Sequence, residues 1–234
     1  MIAPASTESA PRSRLLAPLW HTALVIVALA VNAYSGWLRS GKLRESTTVN
    51  RPGLYLRTII VEWLILALVL FGVRLHKSPL SIVLGERWRS ASRILQDLGI
   101  AIAFLMVSVF VVSMLGPHGQ QTGTDPAVRF LMPQSMNERW LWVVVALSAG
   151  ICEEAVYRGY LQHQFITFTR SVPAGIFLSA VLFGAGHAYQ GFRPAFLICL
   201  GGLMSGTLTW WRRSVRPGMI AHTLQDLLAI VVSH

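Results

Sequence analysis

Two adjacent carboxylates, Glu153 and Glu154, interrupt a long apolar run that begins near Trp140, and Arg158 follows them one helical turn later. A charged group at membrane depth costs at least about 2.5 kcal/mol on insertion scales, so a functional site is the default explanation. On a helix, Glu154 and Arg158 are i,i+4 neighbours and can form an ion pair. Glu153 is rotated by roughly 100° from Glu154 and can point elsewhere. The pattern predicts that one carboxylate is held in a pair and that the other is free to react.

The next apolar segments contribute imidazole and carboxyl groups. His187 stands near the end of one segment, and His222 and Asp226 are i,i+4 neighbours on the last one, so they share a helix face. A single histidine near the end of a span is more often a packing or interfacial residue than a catalyst. Three neighbouring segments that each bring Glu or His to a similar depth favour a common site.

Hydrolysis is the chemistry that such a set supports. A carboxylate in a low-dielectric cavity can take a proton from water, and a histidine can share that water. A second histidine beside a carboxyl group can donate to the oxyanion that forms when water attacks a carbonyl. Glu153, His187 and His222 also make a two-His-one-carboxylate set that could bind zinc. The H-E-x-x-H signature is absent, and the residues alone leave both routes open.

The composition indicates the class of protein whose elements must position these groups. The chain has 234 residues, of which 53% are hydrophobic and only 13% charged, whereas soluble domains carry about 25% charged residues. The net charge of +10 comes from basic residues between the apolar runs, which is typical of the topology-setting loops of a membrane protein facing anionic headgroups. We therefore predict no nucleic-acid partner. Cys152 and Cys199 lie inside apolar runs and are expected to be reduced packing residues rather than nucleophiles.

The predicted fold is all-α, a polytopic transmembrane helix bundle of about seven spans with its catalytic core in the last four. A disordered tail is expected over 1–14, accessory helices and a loop over 15–139, and the core over 140–234. The loop, 116–137, could contain a short surface helix. The predicted spans are 15–38, 54–75, 94–115, 140–164, 172–189, 195–211 and 217–232. The bias of Lys and Arg between alternate loops weakly favours a cytoplasmic amino terminus in a multi-pass protein of the cell (inner) membrane.

Three motifs in these spans resemble those of the CAAX protease and bacteriocin-processing (CPBP, or Abi) family of intramembrane proteases. The sequence from Glu153 to Arg158 matches E-E-x-x-x-R, that from Phe183 to His187 matches F-x-x-x-H, and that from His222 to Asp226 matches H-x-x-x-Asn/Asp. They occur in the family's order, and the resemblance covers about residues 140–232. It implies an all-helical membrane fold and hydrolysis of peptide bonds in peptides or proteins within or beside the bilayer.

The resemblance also implies a role for each site residue. Glu153 would activate water with His187 as its partner, and His222 with Asp226 would face the oxyanion. Glu154 and Arg158 would form a supporting structural pair. Relatives resembling the eukaryotic CAAX endopeptidase usually carry Asn where this chain has Asp226. Members are often called metalloproteases, so a divalent metal such as zinc stays an alternative to the metal-free, glutamate-dependent route.

Two other functions compete with proteolysis. A protease-derived protein could act without catalysis, as a bacteriocin-immunity protein or a membrane scaffold. A proton- or cation-coupled transporter could use a relay of acidic residues, namely Glu62, Asp97, Glu153, Glu154 and Asp226. The transporter hypothesis leaves the motif spacings unexplained, so we rank it last.

Overall fold

The computed structural model describes residues 14–45, 49–115 and 131–232, and the described residues are helical without strands. The predicted tail lies almost entirely outside these residues, as does most of the predicted loop with its surface helix. The α-helices are α1 (Leu19–Glu45), α2 (Arg51–Leu75), α3 (Ser81–Leu84), α4 (Ala91–Leu115), α5 (Met136–Glu153), α6 (Gln162–Thr169), α7 (Val172–Gly186), α8 (Phe192–Arg212) and α9 (Arg216–Val232). A π-helical segment (Glu154–Leu161) joins α5 to α6, and a 3₁₀ turn (Ala188–Gln190) precedes α8.

Five stretches are long and apolar enough to cross a membrane. They are Leu19–Gly41, Arg51–Leu75, Ala91–Leu115, Met136–Thr169 and Phe192–Arg212. The predicted fifth and seventh spans correspond to the shorter helices α7 and α9, which have 15 and 17 residues. The chain is therefore an all-α, multi-pass membrane protein, as its sequence predicts, and its exposed Trp, Phe and Leu side chains form the surface that lipid would cover.

Local sequence signals explain where several helices begin and end. Ser135 caps α5 by accepting from the amide of Glu138, whose side chain bonds back to the amide of Ser135. Ser171 caps α7, and a proline stands in the first turn of that helix. Arg170 and Arg213 end α6 and α8 in the left-handed region, with φ of 56° and 52°. These helix boundaries are therefore determined by residues close to them in the sequence.

Two features of the fold differ from the predicted pattern. The fourth span was predicted as one regular helix, but eight of its residues form the π-helical segment. The four-residue helix α3 was not predicted, and it packs on that segment at Gly159, where an added Cβ would lie 2.5 Å from the carbonyl oxygen of Val83. The hydrophobic pattern indicates which segments are apolar enough to enter the membrane. It does not distinguish a π-helix from an α-helix, and it does not reveal a four-residue helix.

Helix packing surrounds the π-helical segment with other elements. Both α2 and α9 pack along α5, and α7 packs against α8. A buried polar network fixes the start of α1 to this segment and to α6: Nδ1 of His21 lies 2.8 Å from the hydroxyl of Tyr160, and the amide of Leu16 donates to Gln164 at 2.7 Å. The acidic pair at the end of α5 is thereby enclosed by elements from both halves of the chain.

Candidate active site

The two acidic residues stand where α5 changes into the π-helical segment. The wider hydrogen bonding is visible at its end, where the amide of Gln162 bonds to the carbonyl of Tyr157, five residues earlier. Every residue from Glu154 to Leu161 is buried. Short π-helical insertions are uncommon and occur often at functional sites. Glu154, the first residue of this segment, is buried, whereas Glu153 is partly exposed and lines a cavity.

Glu154 is held by partners from the π-helical segment and α8. Its Oε1 lies 3.5 Å from Nε of Arg158, and both side chains are only 2% exposed. Its Oε2 accepts a 2.6 Å hydrogen bond from the hydroxyl of Ser205 on α8. The guanidinium of Arg158 also lies over the ring of Phe183, 4.1 Å from the ring centroid. The predicted proximity of Glu154 and Arg158 is therefore present in the structure.

His222 lies among three carboxylates. Its Nε2 is 3.7 Å from Oε2 of Glu153 and 3.8 Å from Oδ2 of Asp226, while its Nδ1 is 3.4 Å from Oε1 of Glu154. Close packing of α9 on α5 permits this arrangement, since Gly150 faces Thr223 at a distance that leaves no room for a Cβ. The last helix thus brings its imidazole directly to the acidic pair.

His187 is fixed at the end of α7. Its Nδ1 lies 2.9 Å from the carbonyl oxygen of Phe183, which can only accept, so in the neutral ring Nε2 is left as an acceptor. The Phe183 ring stands edge-on to both histidines, with centroid distances of 4.8 Å to His187 and 6.1 Å to His222. Phe183 therefore packs against both imidazoles.

A cavity of about 180 Å³ gives access to these groups. Its walls include Glu153 and His187 together with Tyr157, Tyr189 and Glu62. A buried water needs only about 10–15 Å³ of such space and two to four polar partners, so the cavity can hold water beside Glu153. The structure thus brings Glu153 and His187 to one cavity and places His222 in reach of Glu153.

Glu62, on α2, is a neighbour that our sequence-based site did not include. It lines the same cavity as Glu153 and His187. Its Oε2 is buried, with no hydrogen-bond partner among the described residues. The sequence signal for Glu62 is an acidic residue in the middle of an apolar span, which the competing relay hypothesis includes.

Asp97, another acidic residue of that relay, has a different environment. Asp97 accepts from Nη2 of Arg212 at 3.1 Å and from the indole of Trp88 at 2.9 Å. These contacts tie α4 to the carboxyl end of α8, which is a structural use of the charge. They give no support to a relay that runs through Asp97.

A metal site finds little support in the arrangement of donors. Across residues 14–45, 49–115 and 131–232, no group of three or more His, Cys, Asp or Glu side chains is suitably placed to hold a metal ion. Zinc sites need three or four such ligands at about 2.0–2.3 Å. The predicted zinc set of Glu153, His187 and His222 does not meet that requirement as it stands.

Comparison with known proteins identifies a family that the site region resembles. Residues 135–228 match the family model described as type II CAAX prenyl endopeptidase Rce1-like. This region is Rce1-like. The match begins at the cap of α5 and ends two residues after Asp226, so the Rce1-like region contains all three motifs, and it confirms the resemblance to the CAAX protease and bacteriocin-processing family. No curated protein and no solved structure matches the chain.

The Rce1-like region and the apolar helices together define a CAAX-protease-like membrane protein. The catalytic roles of Glu153, His187, His222 and Asp226, and the supporting roles of Glu154 and Arg158, stay predictions. So does the division of the chain into tail, accessory helices and core, although Glu62 and the α1 contacts show the first half packed against the matched region.

Proposed function

We propose that the protein is an intramembrane endopeptidase that hydrolyses peptide bonds of membrane-associated peptides or proteins with water activated by Glu153. The observation that carries the proposal is the position of the Glu153 carboxylate: it faces a cavity shared with His187 and lies 3.7 Å from Nε2 of His222, inside an Rce1-like region. The cell (inner) membrane is the proposed location.

In the proposed reaction, water bound between Glu153 and Nε2 of His187 attacks the carbonyl carbon of the scissile amide. Its proton passes to Glu153 as the new C–O bond forms. The carbonyl becomes an oxyanion, towards which His222 can donate. Collapse of this tetrahedral species breaks the C–N bond, and Glu153 returns its proton to the leaving nitrogen. The products are a new carboxyl terminus and a new amine.

The remaining polar residues would position these groups. Glu154 holds Nδ1 of His222, and it is itself held by Arg158 and Ser205. Asp226 sits one helical turn from His222, and Nε1 of Trp142 donates to its backbone carbonyl at 2.9 Å. Asp226 would orient His222 rather than face the oxyanion as a charge, because two negative charges at that point would repel each other.

Comparative proteomics of membrane peptides tests the function. Cells with the wild-type protein are compared with cells carrying Glu153→Gln, and Glu86→Gln removes an exposed carboxylate as the matched control. We expect new peptide termini in wild-type and Glu86→Gln cells that are reduced by a factor of about 10²–10⁴ in Glu153→Gln cells. Identical termini in all three would refute proteolysis, and a biological effect retained by Glu153→Gln would favour the immunity or scaffold role.

A further inference from the structure

Two arginines from the accessory helices converge at one end of the catalytic cavity. Arg39, near the carboxyl end of α1, and Arg57, near the amino end of α2, both line it together with Glu153 and His187. Both lie outside the Rce1-like match. The cavity that contains Glu153 and His187 is therefore also lined by two positively charged side chains.

The two guanidinium groups meet at a single hydroxyl. Nη2 of Arg39 and Nη2 of Arg57 donate to Oγ of Ser35 at 2.9 Å and 3.0 Å. Arg57 also lies 3.3 Å from Oδ1 of Asn32. A neutral hydroxyl and a neutral amide do not compensate two positive charges, and among the described residues neither arginine forms an ion pair with a carboxylate.

Such an arrangement is suited to an anion. Each guanidinium presents five N–H donors in a planar fork, and paired donors of this kind match the two oxygens of a carboxylate. Holding two like charges side by side is unfavourable until an anion joins them, more so in a partly buried site than in water. The shape and charge of this end of the cavity thus complement a carboxylate.

We propose that Arg39 and Arg57 form a carboxylate-binding subsite that positions the peptide substrate relative to Glu153. The inference rests on the proposed function for its choice of a peptide. The carboxylate can be the terminal one or that of an acidic side chain. A cavity of about 180 Å³ that also reaches Glu153 and His187 has room for a short stretch of peptide.

Arg57 and Glu62 are five residues apart on α2, a rise of about 7.5 Å, and Glu62 lines the cavity together with Glu153. An extended peptide covers that rise with two or three residues. The bound carboxylate is therefore expected a few residues from the scissile bond.

Binding to an inactive protein tests the subsite apart from catalysis. The full chain carrying Glu153→Gln is placed in nanodiscs of uncharged phosphatidylcholine. The probes are fluorescent single-span peptides that end in a free carboxylate or in a carboxamide. A second pair has an amidated end and carries Asp or Asn at positions one to six from a fixed reference amide. Fluorescence anisotropy gives the dissociation constants.

We expect a carboxylate-bearing peptide to bind about ten-fold more tightly than its neutral partner. This ratio should fall to about one when Arg57→Gln or Arg39→Gln is added, and it should persist with Arg93→Gln, which removes an exposed arginine on α4. Because the ratio compares two ligands on one protein, a general loss of stability does not imitate the result. If only the first peptide pair shows this ratio, the subsite binds a terminal carboxylate. If only the second pair shows it, the subsite binds an acidic side chain.

Equal binding of acid and neutral peptides, absence of saturable binding, or a ratio unchanged by both arginine substitutions would overturn the proposal. An arginine-dependent response to phosphatidylglycerol vesicles without one to the peptides would assign the subsite to a lipid headgroup instead. If the peptide ratio holds while no cleavage is found with the active protein, the subsite stands and the proteolytic function fails.

Discussion

The imidazole of His222 bridges the two adjacent glutamates: its Nδ1 lies 3.4 Å from Oε1 of Glu154 and its Nε2 lies 3.7 Å from Oε2 of Glu153. One histidine therefore joins the buried, paired carboxylate to the carboxylate in the cavity. Glu154 is fixed by Arg158 and Ser205, so the position of His222 depends on a rigid set of contacts. In the proposed mechanism, this link sets the distance between the base and the oxyanion donor.

Replacing His222 should therefore remove activity without unfolding the protein. We expect His222→Gln to lower the rate of peptide cleavage by about 10²–10³, as is typical for the loss of one oxyanion donor. Helicity and elution from a sizing column in detergent should be unchanged. His76→Gln, which alters an exposed histidine after α2, is the matched control and should cleave normally. Full activity in His222→Gln would contradict the assigned role.

The buried pair should matter for stability far more than the partly exposed one. Glu154→Gln leaves Arg158 without its charged partner, and breaking a buried pair costs about 3–5 kcal/mol. Asp97→Asn weakens the pair with Arg212, whose side chains are 9% and 23% exposed, and should cost about 1 kcal/mol or less. Equilibrium unfolding in detergent measures both free energies. Equal decreases in the free energy of unfolding for the two variants would show that burial does not determine the cost of breaking the pair.

Close packing at Gly150 should be required for the site. A Cβ there would collide with Oγ1 of Thr223 and lie 2.8 Å from the carbonyl oxygen of Met219, so Gly150→Ala must push α9 away from α5. We expect lower thermal stability and loss of cleavage, because His222 would move away from Glu153. Gly201→Ala has no atom within 4 Å of the new Cβ and should be neutral or stabilising by up to about 1 kcal/mol. An active, stable Gly150→Ala protein would contradict the tight contact.

Substitutions of Asp226 test whether this residue acts by orienting His222 or by its negative charge. Oδ2 of Asp226 is 3.8 Å from Nε2 of His222, and related endopeptidases usually carry Asn at this position. Asp226→Asn keeps the shape and hydrogen-bonding capacity, so we expect cleavage within about ten-fold of the wild-type rate. Asp226→Leu keeps the size but can neither donate nor accept, and it should lower the rate by about 10²-fold. Equal rates for the two variants would rule out an orienting role for Asp226.

The membrane helices could be predicted from sequence because their signal is local. Long apolar stretches end at charged residues, prolines and caps, and the predicted spans match the observed helices to within a few residues, apart from the extension of α1 to Glu45. The meeting of Glu154 and Arg158 also follows from their i,i+4 spacing. Such features depend on residues close together in the chain.

Features that depend on tertiary packing could not be predicted in this way. The presence of Glu62 and Glu153 in one cavity requires α2 to lie along α5, and the bond from Ser205 to Glu154 requires α8 to reach the π-helical segment. The closeness of His222 rather than His187 to Glu154 likewise results from the contact between α9 and α5.

Removing metal ions should leave cleavage intact. The proposed route uses Glu153 and the histidines alone, and the described residues provide no group of three metal ligands. We therefore expect activity within about two-fold after treatment with 1,10-phenanthroline and dialysis against EDTA, and far less than one zinc per chain by mass spectrometry of the purified protein. As a control for damage by the chelator, a zinc-loaded metalloprotease in the same detergent should lose its activity. Activity that is lost on chelation and restored by stoichiometric zinc would instead establish the metal-assisted route, with a ligand set that forms when the ion binds.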